Sequence, residues 1–248
     1  MKCLICNRDM SYYFTKDFTS YNLKELQNCV YYICENCGMV VSKTHFDMSD
    51  TEWENLNFNY HSSFLIDGGI SPEDPNWLER LDKQVNFLEY LYVNEILPKN
   101  NWLDWGCGNG ILSDKLKERG ILLQKYDKYF NSIELKCKNY DFIITTSVFE
   151  HIREYSTLKS IADLLTERGI MGLHTLICER IPKDPKWFYL LPVHCTFFTN
   201  KSTSILMENL GFKYSAYNIN SRLWFMSKYP IKSNVNLITK EGFVDYWK

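Results

Sequence analysis

The sequence predicts an α/β protein with a small cysteine-bound module at its N-terminus. Three observations lead there. Two Cys-x-x-Cys pairs stand near the start, Cys3 with Cys6 and Cys34 with Cys37. Midway, an apolar strand pattern runs into a glycine turn, Trp102-Leu103-Asp104-Trp105-Gly106-Cys107-Gly108-Asn109-Gly110, and then into helical spacing over residues 111–119. After it, apolar strand-like runs alternate with helical periodicity, the order that builds a sheet covered by helices.

Composition bounds the reading. A chain of 248 residues is one large domain, or one domain with a small module. With 45% hydrophobic and 23% charged residues, global disorder is excluded. Aromatic residues reach 16%, which favours concave, ring-lined sites. The formal charge is −2, so the basic footprint of a nucleic-acid binder is missing. No run approaches the ~20 apolar residues of a membrane span, and no membrane partner is expected. The N-terminus is too short and too cysteine-rich for a signal peptide, which predicts a cytoplasmic protein with reduced thiols. Its 9 cysteines are then metal ligands or core residues before they are disulfides.

The first segment, residues 1–45, reads as a zinc-ribbon-like module. Each Cys-x-x-Cys pair suits a tight turn whose backbone N–H groups point at thiolate sulfur, and Gly38 permits the positive φ that such turns need. Four thiolates from Cys3, Cys6, Cys34 and Cys37 make a closed, structural Zn²⁺ site. The 27 residues between the pairs are at the long end for a ribbon. Tyr31-Tyr32-Ile33 and Met39-Val40-Val41 read as strands flanking the second pair. A redox role for one pair lacks the preceding βαβ context. Cys29 reads as a core residue, and the module's charges nearly balance.

Residues 46–98 form a connecting helical segment. Gly68, Gly69, Pro72 and Pro75 mark a loop. Asn76 with Glu79 suggests a capping box. Leu81, Val85, Leu88, Tyr92 and Ile96 then repeat at helical spacing until Pro98.

Residues 99–229 carry the chemistry. The glycine turn lets backbone approach a ligand closely, and residues 121–126 form a second strand ending at Asp127. An acid there suits a ribose diol, whose two hydroxyls donate to its oxygens. The turn is Gly-x-Gly-x-Gly, not the dinucleotide Gly-x-Gly-x-x-Gly, and Asp104 stands two residues ahead of it. A pyrophosphate would be repelled by that acid. A cationic ligand such as S-adenosylmethionine, with its sulfonium and ammonium groups, would be attracted.

These residues resemble the class I S-adenosylmethionine-dependent methyltransferases, small-molecule branch. The likeness is carried by residues 103–110, by Asp127, and by the run from Asp141 through Ser147-Val148-Phe149-Glu150-His151-Ile152. His194-Cys195-Thr196-Phe197-Phe198-Thr199, before a helix closing at Leu210-Gly211-Phe212, also matches. It covers roughly residues 80–229. The resemblance implies a Rossmann-like seven-stranded sheet, mostly parallel, with helices on both faces and an antiparallel terminal hairpin. Consistent with it, Leu158, Ile161, Leu164 and Leu165 make an amphipathic helix stopped by Gly169. Residues 170–178 make an apolar strand, and residues 212–219 and 222–229 a hairpin turning at Asn220-Ser221. Residues 230–248 form a tail. One departure is that residues 128–140 are short for a helix plus third strand, so that edge strand is abbreviated or absent.

The resemblance places the cofactor on Asp104, Gly106, Cys107, Gly108, Gly110, Asp127 and Ser147. An oxygen acceptor gains from a base, and histidine suits neutral pH. His151 follows Glu150 at the carboxyl end of a strand, and His194 follows an aromatic, proline-marked loop resembling a lid. Both are base candidates, with Glu150 binding substrate or favouring a helix dipole. His174 alternates within a strand and is placed to face either the pocket or the core, the core being favoured, and His45 and His61 read as structural, with residues 59–61 also placed to cap the cofactor. Outside the four cysteines no metal-ligand spacing is signalled. The expected activity is O-methylation of a small polar metabolite, such as a nucleotide-linked sugar or a polysaccharide precursor. The alternatives are an RNA methyltransferase guided by the zinc module, and a non-catalytic cofactor-binding scaffold. A homo-oligomer is compatible with the sequence, which leaves assembly open.

Overall fold

The computed structural model describes residues 1–21, 23–24, 26–66, 76–231 and 238–241. The loop signals at Gly68, Gly69, Pro72 and Pro75 lie outside the described residues. In chain order, β1 (Met10–Asp17), β2 (Asn28–Cys34) and β3 (Val40–Ser42) form the N-terminal hairpins. In β1 the register slips between Tyr12 and Phe14. That bulge turns both Tyr13 and Phe14 inward, where Phe14 stacks on Tyr31 with ring centroids 4.8 Å apart. Helices α1 (Lys43–Asp47), α2 (Asp50–Ile66) and α3 (Trp77–Val93) follow. The α3 face built from Leu81, Val85, Leu88 and Leu91 is buried, as its period requires.

The second sheet uses β4 (Trp102–Trp105), β5 (Leu123–Tyr126), β6 (Tyr140–Thr146) and β7 (Leu165–His174), with α4 (Ile111–Glu118) and α5 (Tyr155–Asp163) between them. The chain continues through β8 (Ile177–Cys178), β9 (Thr196–Thr199), α6 (Asn200–Asn209), β10 (Tyr214–Asn218), β11 (Leu223–Ser227) and β12 (Ile238–Glu241). The large sheet has seven strands in the order β12-β10-β11-β7-β6-β4-β5. β5, β4, β6 and β7 pair in parallel, and β11 and β10 close it as the antiparallel hairpin expected at residues 212–229. Strand order reverses at β4, which pairs β5 on one side and β6 on the other. Ligands bind outside the carboxyl ends of strands at such a reversal.

The sheet reaches seven strands by an unexpected route. Among the described residues, 128–139 contain no strand, only a single bridge between Asp127 and Asn131. The seventh strand is β12, from the C-terminal tail, on the opposite edge against β10.

The N-terminal hairpins do not stand apart. Their sheet continues from β3 into β9 and β8, giving the order β1-β2-β3-β9-β8. Residues far along the chain thus complete the cysteine module's sheet. Further ties run from Tyr13 Oη to the Ile181 carbonyl at 2.8 Å, and from Lys16 Nζ to the Leu190 carbonyl at 2.7 Å.

Several local expectations are corrected. α5 ends at Asp163, and Leu165 opens β7, because Leu165 pairs with Tyr140 and a register shift absorbs the residues up to Gly169. The strand expected over 170–178 splits, since the chain leaves β7 at His174 and joins the other sheet at Ile177. α3 closes at Val93, before Pro98, where Glu95 takes a φ of 54°. Asn76 occupies its N-cap without a side-chain cap bond, and Glu79 pairs with Lys83 at 2.7 Å instead.

Candidate functional site

A cavity of about 1250 Å³ opens at the carboxyl ends of β4, β5 and β6. Its floor is the glycine turn. Gly106 has φ 75°, and a Cβ there would lie 2.5 Å from Val148 Cγ2. Only glycine fits that left-handed, crowded position. Gly108 has φ 53° and nothing within 4 Å of its missing Cβ. That open space is where a ligand can meet bare backbone. Gly106 and Cys107 donate their N–H groups to the Tyr126 carbonyl, at 2.7 and 3.0 Å, which pins the turn to β5.

Asp104 lies beneath the turn and is 1% exposed. Ser113 donates to its Oδ2 at 2.7 Å, while Oδ1 is buried without a partner. Burial raises its pKa to about 6. A buried, half-satisfied carboxylate calls for a cation or donor, and the ammonium group of S-adenosylmethionine would supply one. Asp127 closes the turn from the other side. Its Oδ2 accepts from Gly108 N at 2.9 Å, and its Oδ1 from Tyr129 N and Phe130 N at 2.8 and 3.2 Å. It therefore braces the turn, and a ribose diol would share its remaining lone pairs. Gly110 caps α4 at φ 79°. Burial pushes the Cys107 thiol up to about 12, so it stays protonated against the cavity. Ser147 lines the same cavity with a φ of 56°, rare for a serine, and donates its N–H to the His174 carbonyl at 2.9 Å.

The opposite wall gathers the base candidates. Glu150 is 1% exposed and His194 6% exposed. The His151 and His194 rings meet edge to face with centroids 4.9 Å apart. Tyr189 Oη donates to Glu150 Oε1 at 2.6 Å, and Thr175 Oγ1 to Oε2 at 2.9 Å. His194 Nδ1 lies 2.8 Å from the Tyr189 carbonyl. A carbonyl only accepts, so Nδ1 carries the proton and Nε2 the lone pair. Burial holds His194 down at about 3 and His151 well below the usual range, the latter also disfavoured by His194. Both rings are neutral near pH 7.

Two histidines that read first as structural or core line the cavity. His61, on α2, sits 5.4 Å centroid to centroid from His151 and lines the cavity. His174, placed by alternation at either the pocket or the core, lines the cavity, because it is the last residue of β7. Arg80 Nη1 donates to its Nδ1 at 3.3 Å. A second group of metal-type side chains, which sequence spacing did not signal, also comes together. One ligand atom each from Glu150, His151 and His194 lies within 4.8 Å of the others. Sequence spacing could not show it, since His194 is brought in from beyond β8. Gln84, 1% exposed with neither amide atom partnered, joins the cavity from α3 and was not singled out. Its only signal was a polar residue on an apolar helix face.

At the N-terminus, Cys3, Cys6, Cys34 and Cys37 bring their sulfurs within 4.8 Å of one another. Cys3 and Cys37 are 3.6 Å apart, and Cys6 and Cys34 3.4 Å. Tetrahedral Zn²⁺ with bonds of about 2.3 Å needs sulfurs about 3.8 Å apart, so the set fits. The Cys37 thiol and the N–H groups of Cys6 and Ile5 favour the Cys3 thiolate, lowering it to about 5. His45, fully buried, bonds the Pro192 carbonyl through Nε2 at 2.8 Å, and Ser42 N donates to the Cys195 carbonyl at 2.8 Å. The module thus holds both ends of the segment carrying His194.

A family model described as a methyltransferase domain matches residues 77–217. Among solved structures, a Burkholderia thailandensis 1,6-didemethyltoxoflavin-N1-methyltransferase, bound to its namesake ligand and S-adenosylhomocysteine, is 13% identical, with a TM-score of 0.51 over 88% of this chain and 96% of that one. A plantazolicin methyltransferase in complex with S-adenosylhomocysteine is 12% identical, covering 73% of this chain and 92% of that one with a TM-score of 0.46. No curated protein sequence matches the chain. No helix among the described residues is long and apolar enough to cross a membrane. With its glycine turn at the strand-order reversal, its buried Asp104 and a family match spanning most of the sheet, the chain belongs to the methyltransferase domain family, as an S-adenosylmethionine-dependent enzyme.

Proposed function

We propose that this enzyme methylates an oxygen of a small polar metabolite, with a sugar or nucleotide-linked sugar as the favoured class. The observation that carries this reading is one continuous cavity. It joins the glycine turn to Glu150, His151 and His194 and is lined by Trp53, Phe188 and Tyr189. Its volume exceeds the ~300–1,000 Å³ of an ordinary ligand site, which leaves room for an acceptor beside the cofactor. S-adenosylmethionine, when bound, supplies an electrophilic methyl group on a sulfonium centre. Asp104 would hold its ammonium group, Asp127 its ribose, and Gly106, Cys107, Gly108, Gly110 and Ser147 the backbone cradle. His194 or His151 then receives the acceptor's hydroxyl proton, and Glu150 orients the acceptor. Aligning donor and acceptor about 3 Å apart supplies much of the rate. The four-cysteine site would hold a structural Zn²⁺ that keeps the His194 segment in place.

Calorimetric titration with S-adenosylhomocysteine, followed by a methyl-transfer screen of nucleotide sugars and polyols, tests the reading. Binding with turnover of an oxygen acceptor is expected. Binding with turnover only of amine or carbon acceptors would remove the O-methylation reading. Binding without turnover of any acceptor would favour a scaffold.

A further inference from the structure

Glu150 is a buried carboxylate with no ion pair among the described residues. Its two bonds come from the neutral hydroxyls of Tyr189 and Thr175. A buried charge in that setting needs a cation. Beside it, His151 Nδ1 is buried with no partner. His194 has its Nδ1 proton committed to the Tyr189 carbonyl, so its Nε2 offers a lone pair. One ligand atom from each of the three lies within 4.8 Å of the others. We propose that Glu150, His151 and His194 bind one divalent transition-metal ion at the acceptor end of the cavity.

The surroundings match how proteins build such sites. Metal-binding histidines commonly donate their second ring N–H to a carbonyl, and ligating carboxylates are themselves hydrogen-bonded. Here the Tyr189 carbonyl and the Tyr189 and Thr175 hydroxyls play those parts. Ligand bonds of about 2.0–2.2 Å place neighbouring donors about 3 Å apart, so side-chain rotations draw the three atoms inward. Two imidazoles and one carboxylate favour Zn, Mn, Fe or Co over Mg or Ca. Three protein ligands facing a cavity leave positions for substrate, unlike the closed four-cysteine set. The role of the ion rests on the methyltransferase reading. With the ion bound both histidine lone pairs are taken, so the ion replaces the histidine base: an acceptor hydroxyl bound to it releases its proton to water more readily. An acceptor with two adjacent oxygens, such as a vicinal diol, would chelate the ion.

The test counts metal on the purified full chain and then titrates it with Mn²⁺, read by loss of the free-ion electron paramagnetic resonance signal. Mn²⁺ suits nitrogen and oxygen donors and leaves thiolate sites alone. One N/O-bound ion per chain is expected, either as a second metal after purification or as Mn²⁺ taken up. Glu150→Gln and His194→Ala should lose it, while the surface variant Asp163→Asn should keep it. Tyr189→Phe, which retains the ligands but drops one donor to Glu150, should weaken Mn²⁺ about 10-fold or more. It keeps the test open if a ligand variant misfolds. No such ion, or uptake unaffected by all of these changes, overturns the proposal. Binding of S-adenosylhomocysteine is measured in parallel. If it binds while no ion does, the metal site fails and the methyltransferase reading stands. If an ion binds and S-adenosylhomocysteine does not, the reverse holds.

Discussion

Two glycines of one turn are expected to respond differently to alanine. At Gly106 the new methyl would meet Val148 Cγ2 at 2.5 Å with the backbone at φ 75°. The left-handed conformation costs about 1–2 kcal/mol and forced packing about 1–3 more. Gly106→Ala should therefore lose about 2–5 kcal/mol, which for a chain of this size lowers Tm by roughly 4–20 °C. At Gly108, φ is 53° and nothing lies within 4 Å. Gly108→Ala should lose only the backbone cost of about 1–2 kcal/mol, or roughly 2–8 °C. Yet its methyl would occupy space lining the cavity, so S-adenosylhomocysteine affinity should fall by 10-fold or more. The assays are thermal unfolding without ligand and calorimetric titration of each variant. If Gly108→Ala bound S-adenosylhomocysteine as tightly as the parent chain, the cradle would be misplaced. If Gly106→Ala unfolded no earlier than Gly108→Ala, the packing argument would be wrong.

Asp104 should trade stability for binding. Its folded pKa of about 6 lies above the ordinary carboxylate value, so the folded protein holds this proton more tightly than the unfolded chain. The stability it contributes is greatest below about pH 4 and is lost as pH rises toward 6, a loss of order 2–3 kcal/mol at neutral pH. Asp104→Asn should then raise Tm at pH 7 while weakening S-adenosylhomocysteine, whose affinity in the parent should improve from pH 5 to 7. A lower Tm in urea and thermal scans of the variant would contradict this. Asp127→Ala removes the acceptor for three backbone N–H groups and should weaken the cofactor while leaving zinc content unchanged; unchanged affinity would remove its assigned role. Cys34→Ser should cost one zinc per chain by native mass spectrometry and lower Tm, and an unaltered Tm would argue against a structural metal. Tyr189→Phe leaves Leu176 N and one Glu150 oxygen without their 3.2 and 2.6 Å partners, which should cost about 1–3 kcal/mol in denaturant unfolding.

Much of the large sheet was legible because its signals are local. The turn from Trp102 to Gly110, the helix after it, the strand before Ser147 and the terminal hairpin each announce themselves by periodicity and turn residues within about ten positions. Where local signals conflicted, tertiary pairing decided. Leu165 fits a helical face by spacing, but its partner is Tyr140 across the sheet. Alternation leaves His174 facing either core or pocket, and the strand ends there and delivers it to the cavity.

The amino-acid order alone determined the elements with a period of their own, the two cysteine pairs and the glycine turn, because each is encoded by neighbours in sequence. Only the tertiary structure decided that β9 and β8 complete the cysteine module's sheet, that β12 supplies the seventh strand, and that His61 and His194 converge on Glu150 and His151. β8, of two residues, is too short to carry a period, and nothing beside β9 or β12 in sequence says which sheet edge each joins. A side chain's partner across more than forty residues of chain is chosen by packing free energy, which leaves no mark on local spacing.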